Sequence, residues 1–195
     1  TALTILQAEA EGVTNFSVFC NHITIVPTIK AILDDPDMQI DGFLGPGHVS
    51  MVIGTNPYEF VAHYYNRPMV VAGFEPLDVL QSIWMVLKQI KDGRAEIENQ
   101  YTRIVPEEGN AQALDAVYKV YELREFFEWR GLGSIEHSGV RIRDAYAQYD
   151  AERKFAMPHL KVADPHACQC GGVLKGLIKP WQCQVFGTAC TPETP

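Results

Sequence analysis

Met69-Val-Val-Ala-Gly-Phe-Glu-Pro-Leu-Asp-Val-Leu-Gln-Ser-Ile-Trp-Met-Val-Leu-Lys-Gln-Ile-Lys91 decides the fold class. Met69 to Phe74 is an apolar run of strand length, the pattern of a strand buried on both faces of a parallel sheet. Pro76 suits the first turn of a helix. From there Leu77, Leu80, Ile83, Trp84, Leu87 and Ile90 recur at helical spacing, and Asp92-Gly93 ends the run. The same alternation extends upstream. Phe16 to Cys20 reads as a strand, and Ile25 to Leu33 as a helix ended by Asp34-Asp35-Pro36. Ile40 to Leu44 reads as a second strand, Gly45-Pro46-Gly47 as a turn, and Pro57 to about Tyr65 as a helix. Downstream, a helix is expected over Asn110 to Leu123, then short strand pieces around Ile135 and Val140 to Ile142. Asp144 to Lys154 is polar and helical in pattern. Strand–helix alternation implies an α/β fold, a parallel sheet flanked by helices in Rossmann-like layers. Ligands of such sheets collect at the carboxyl ends of strands, which directs attention to the loops after Leu44 and Phe74.

After Met157-Pro158 the composition turns to Cys, Gly and Pro, so the expected domains are 1–158, α/β, and 159–195, a small irregular Cys-rich region. The chain has 195 residues, 47% of them hydrophobic, and a net charge of −8. That balance suits a globular protein, and the acidic charge argues against nucleic acid as a partner. No apolar run is long enough to span a membrane, and no signal peptide is visible, so the reading is cytoplasmic. The chain opens on Thr1 and closes abruptly on Pro195, as a piece cut from a longer protein would.

Four groups of residues could carry chemistry. His48 and Ser50 follow the Gly-Pro-Gly turn; His48 could bind a metal, move a proton or donate to an anion, or simply hydrogen-bond within its turn. Glu75 and Asp78 follow the buried strand and could serve a cleft at the sheet edge, although carboxylates there also complement a helix dipole. Cys20 and His22 sit two apart at a strand end, where a buried, inert Cys is the commoner outcome. The fourth group is Cys168, Cys170, Cys183 and Cys190. Fourteen residues separate Cys168 from Cys183, and six separate Cys183 from Cys190. This is neither the paired spacing of a zinc ribbon nor a ferredoxin run. On spacing alone zinc and an iron–sulfur cluster stand level, with disulfides third. One functional reading is thus an α/β enzyme with an acid–base site at His48, Glu75 and Asp78 and a structural zinc.

Several runs together carry a resemblance. They are Gly45-Pro-Gly-His-Val-Ser50, Val71-Ala-Gly-Phe-Glu-Pro-Leu-Asp78, Glu98-Asn-Gln-Tyr-Thr-Arg103, Gly109-Asn110 and Ser138-Gly139, followed by Cys170-Gly171, Gly176, Pro180, Cys183, Phe186-Gly187 and Cys190-Thr-Pro192. In this order, over nearly the whole chain, they resemble the HypD family of hydrogenase maturation proteins. The resemblance implies two α/β domains and a C-terminal region carrying a [4Fe-4S] cluster. It also implies action with HypC and HypE in building the Fe(CN)2CO centre of [NiFe] hydrogenases, as a scaffold and redox partner more than a turnover enzyme, much like a metallochaperone. The family's N-terminal cysteines that hold the nascent iron have no counterpart here, and Cys20 does not inherit their role. One cluster ligand is expected beyond Pro195. Cys183 and Cys190 match cluster ligands; for the first ligand the Cys-Gly context favours Cys170 and the family spacing favours Cys168.

Overall fold

The computed structural model describes residues 1–155, 157 and 164–194. Its helices are α1 (Ala2–Ala10), α2 (Ile25–Leu33), α3 (Gly47–Ile53), α4 (Glu59–His63), α5 (Pro76–Lys91), α6 (Ala111–Val120), α7 (Ala151–Lys154) and α8 (Cys170–Leu174). Its strands are β1 (Phe43–Pro46), β2 (Met69–Ala72), β3 (Ile97–Asn99), β4 (Tyr121–Leu123), β5 (Phe126–Trp129), β6 (Gly133–Glu136) and β7 (Val140–Ile142). Two compact units form. One comprises Thr1–Gln7 and Ile40–Val120, the other Ala8–Gln39 and Tyr121–Pro195. The boundary expected at 158/159 lies outside the described residues.

The first unit is built on a parallel sheet of order β1-β2-β3. Phe43 pairs with Met69, and Met69 with Ile97. The apolar run at 69–72 becomes the central strand, with Val70 and Val71 fully buried. Helices flank the sheet, so the mixed α/β fold and its parallel sheet are as the alternation predicts. The first sheet strand starts three residues later than the sequence suggests, and Gly45-Pro46-Gly47 is not a free turn: the strand runs straight into α3. Close approach explains the glycines. A Cβ on Gly47 would fall on the backbone oxygen of Ala72, and one on Gly45 would crowd Met69 Cε at 2.6 Å and Val71 Cγ2 at 3.2 Å. The edge position of β1 accommodates Pro46, which has no N–H to donate.

Helix α5 packs on β1 and β2. It buries Asp78, Ser82, Val86 and Gln89, not the leucine–isoleucine–tryptophan stripe that marks it in the sequence. Most polar atoms of that face have partners, which limits the cost of their burial, although Gln89 Nε2 is buried with none among the described residues. Ser82 Oγ donates to Asp78 O at 2.8 Å. Gln89 Oε1 accepts from Glu96 N at 2.8 Å. Helix α6 begins after Asn110, whose Oδ1 accepts from Ala113 N at 3.0 Å, an N-terminal cap. It stops at Val120 rather than Leu123, because Tyr121 to Leu123 pair antiparallel with Ile142 to Val140.

The second unit holds that β4–β7 pair and the β5–β6 hairpin. The strand expected at Phe16 to Cys20 does not form; Val18 alone makes an isolated bridge to Asp150. Ser138 is fully buried. Its hydroxyl donates to Ile135 O and accepts from Trp129 Nε1, both at 2.8 Å. Gly139 faces the Phe127 ring, where a Cβ would meet Cγ at 2.7 Å. Among the described residues no helix is long and apolar enough to cross a membrane.

Candidate functional site

Two separate clusters collect the candidate residues, one in each unit. In the first unit they gather beyond the carboxyl ends of β1 and β2. His48, exposed in the first turn of α3, stacks on Phe74 with ring centroids 4.1 Å apart. Glu75 is exposed and lies 3.8 Å from Arg103 Nη2. Asp78 is 5% exposed. It takes both arms of Arg103, Nη2 to Oδ2 at 2.6 Å and Nη1 to Oδ1 at 2.9 Å. Gln100 Nε2 also donates to Oδ1 at 2.8 Å. These bonds, that of Arg103 first, lower the Asp78 pKa to about 2. Asp78 is thereby a fixed anion near neutral pH, a group that holds Arg103 in place rather than one that carries protons. Gln100 Oε1 in turn accepts from Gly73 N at 3.1 Å, and the Arg103 guanidinium lies 4.5 Å over the Tyr101 ring. Ser50 is fully buried and donates to Pro46 O at 2.7 Å, with Tyr58 OH 3.1 Å away. Its part is to fix the strand–helix junction.

Cys20 is 1% exposed; its Sγ donates to Val140 O at 3.3 Å and lies 3.6 Å from His22 Nδ1. Burial raises its pKa, so the thiol stays protonated and packs as an apolar group.

The second cluster is the cysteine site. Cys168, Cys170, Cys183 and Cys190 are all free thiols, each partly buried. All four line one cavity of about 560 Å³, together with Trp129, Val173, Leu174, Val185 and Phe186 among others. Three short pieces of chain bring them there. Cys170 opens α8, Cys183 follows a 3-10 turn at Pro180–Gln182, and Cys190 N donates to Val185 O at 2.8 Å. Gln184 N donates to Gln169 Oε1 at 2.9 Å and ties the Cys168–Cys170 piece to the Cys183 piece. Trp129 and Arg130 reach the cavity from the end of the β5–β6 hairpin. The hairpin turn touches α8 backbone to backbone: a Cβ on Gly171 would fall on Gly131 O, and Gly131 has φ +74°.

The thiols differ electrostatically. The Cys170 pKa is raised by its hydrogen bond with Cys168, then by burial and by the sulfurs of Cys168 and Cys190. The Cys183 pKa is lowered, first by the Val185 N–H and further by those of Gln169 and Phe186. Backbone N–H groups aimed at sulfur, an apolar lining and free thiols are the chemistry of a thiolate-bound group. Among the described residues no three His, Cys, Asp or Glu side chains form a grouping that could hold a metal ion. The four thiols instead share the wall of one cavity.

A family profile described as "HypD: Hydrogenase formation hypA family" matches residues 1–195. The chain belongs to the HypD family. Its similar proteins include the hydrogenase maturation factor HypD of Rhodobacter capsulatus, 58% identical over the whole of this chain and 53% of the relative. The HypD of Rhizobium leguminosarum is 52% identical over the whole of this chain and 52% of its own length. That of Escherichia coli is 49% identical, again over the whole of this chain and 52% of its own length. The chain therefore spans about half the length of the curated relatives it matches. Motif reading passes over Gln100 and Arg103 in the first cluster and Trp129 and Arg130 in the second. Arg103 stands inside a quoted run, Glu98 to Arg103, but nothing in that run signals its pairing with Asp78. Trp129 and Arg130 belong to a hairpin about forty positions before the first cavity cysteine.

Proposed function

We propose that this chain is part of a [NiFe] hydrogenase maturation factor whose cysteine cavity takes a [4Fe-4S] cluster. The observation that carries the reading is the convergence of four free cysteines on one apolar cavity. Cys183 and Cys190 would hold the cluster with either Cys168 or Cys170; bound there, it would supply one-electron chemistry. The chain's own residues prepare the place. Trp129, Val173, Leu174 and Phe186 restrict water, and the N–H groups around Cys183 stabilise its thiolate. The whole protein would act in the cytoplasm as scaffold and redox partner, with HypC and HypE, for the Fe(CN)2CO centre on its way to the hydrogenase. On this reading the His48–Phe74–Glu75 surface, braced by Asp78 and Arg103, faces that assembly without turning over a substrate.

The test is metal analysis of the protein extended to its relatives' length and purified without oxygen. About four irons with matching sulfide per chain are expected, and both Cys183→Ser and Cys190→Ser should lose them. Stoichiometric zinc without iron overturns the reading.

A further inference from the structure

Among the described residues of its own unit, nothing covers the outward face of α5. Leu77, Leu80, Ile83, Trp84, Leu87 and Ile90 are between 41% and 78% exposed and share one side of the helix. From Leu77 to Ile90 the stripe runs about 20 Å at the rise of an α-helix. It presents roughly 500 Å² of apolar surface, the size of the largest patch on a soluble monomer, which is often functional. The opposite side of α5 carries Asp78, Ser82 and Gln89 against the sheet. An ordinary surface helix has the reverse arrangement, apolar side in and polar side out. The sequence thus reserves its strongest apolar stripe for something beyond the described residues.

We propose that this face is the seat of the part of the family's chain that lies outside these 195 residues, which packs against α5 within the same molecule. Two observations favour that occupant. First, the relatives are about twice as long, so a polypeptide of domain size remains to be placed. Second, among the described residues the sheet has three strands, with β1 and β3 at its edges, and Leu44 on β1 is 44% exposed. Parallel sheets are covered on both faces and usually larger, so this unit has the look of a layer awaiting its neighbour. A membrane surface suits the face less. Interfacial helices carry a strongly basic polar side, whereas the basic residues of α5 are Lys88 and Lys91 in a chain of net charge −8. The inference rests on family membership and on α5, not on the cluster, so the two can fail separately.

Hydroxyl-radical footprinting tests it without any mutation. The probe is applied to the protein at its relatives' length and, in parallel, to the 195-residue chain, with Tyr64, 80% exposed, as internal reference. In the longer protein, dilute and shown to be monomeric by sedimentation, Trp84 labelling relative to Tyr64 should fall by about tenfold, as for a site open less than a tenth of the time. In the 195-residue chain the two should label alike. The double variant Leu80→Glu/Leu87→Glu of the longer protein should regain Trp84 labelling. Four results overturn the proposal. Trp84 could label freely in the monomeric longer protein; protection could appear only at concentrations that form dimers, which assigns the face to a second copy. Protection could require added anionic lipid vesicles, or it could already be complete in the 195-residue chain.

Discussion

Two neighbouring glycines beside Cys170 give a sharp test of how the cysteine cavity is built. Both Gly171 and Gly172 lie in α8, where replacing Gly by Ala gains up to about 1 kcal/mol in helix propensity. At Gly172 a Cβ would meet only Ile178, at 3.4 and 3.7 Å, an ordinary contact. At Gly171 it would fall on Gly131 O, about an ångström inside contact. The obstacle is backbone, in a turn whose glycine has positive φ, so it cannot swing aside like a side chain. Overpacking costs typically about 1–3 kcal/mol, and a backbone obstacle places this case at the upper end. Net of the propensity gain, Gly171→Ala should destabilise by about 2 kcal/mol, while Gly172→Ala should be neutral or stabilising by up to about 1 kcal/mol. The assay is thermal unfolding followed by circular dichroism, paired with cysteine accessibility at 168 and 170. A 2 kcal/mol loss lowers Tm by about 4–8 °C in a chain of this size. Equal Tm values for the two variants would refute the backbone contact as the element that seats α8.

Three further outcomes follow from the structure. The Asp78 pKa, about 2, lies below the unfolded value of about 3.9, so its bridge to Arg103 contributes stability that is complete above pH about 4 and lost as pH falls through about 2. The difference in urea midpoint between wild type and Asp78→Asn should therefore hold steady from pH 7 to 5 and shrink toward zero near pH 2. Met69, 1% exposed at the start of the central strand, should cost about 2–5 kcal/mol on replacement by Ala, read from guanidinium unfolding. Of Cys168→Ser and Cys170→Ser, one and not both should remove iron from the protein purified without oxygen; loss in both, or in neither, contradicts a single ligand in that stretch.

Much of the fold was legible because it rests on local signals. The apolar run at Met69 and the Pro-initiated helix at Pro76 are local, and Ile25–Leu33 appears with the bounds its pattern suggests. What was hidden depends on contacts distant in sequence. Tyr121 to Leu123 continue a helical pattern but find strand partners about twenty positions later. Phe16 to Cys20 have strand composition, but among the described residues they find a single bridge, Val18 to Asp150, and no strand to pair along. The stripe on α5 named the helix correctly and its buried side misleadingly, since Asp78 and Gln89 are acceptable inside only once Arg103, Gln100 and Glu96 supply partners from distant positions, while Ser82 bonds within its own helix. Around the cavity, cysteine spacing pointed to four residues that do line it, but not to Trp129 and Arg130, which arrive by way of a hairpin. Nor could it separate Cys168 from Cys170, because both reach the cavity.

The contact of Gly131 with Gly171 has a consequence for charge transfer. Where two walls of a cavity meet through peptide groups, no side chain stands between them to change rotamer. A centre that gains or loses an electron there finds surroundings that shift little in response. On the proposed reading, the two residues lacking side chains keep this part of the wall from rearranging when the cavity's occupant changes charge, which lowers its share of the reorganisation that each transfer requires.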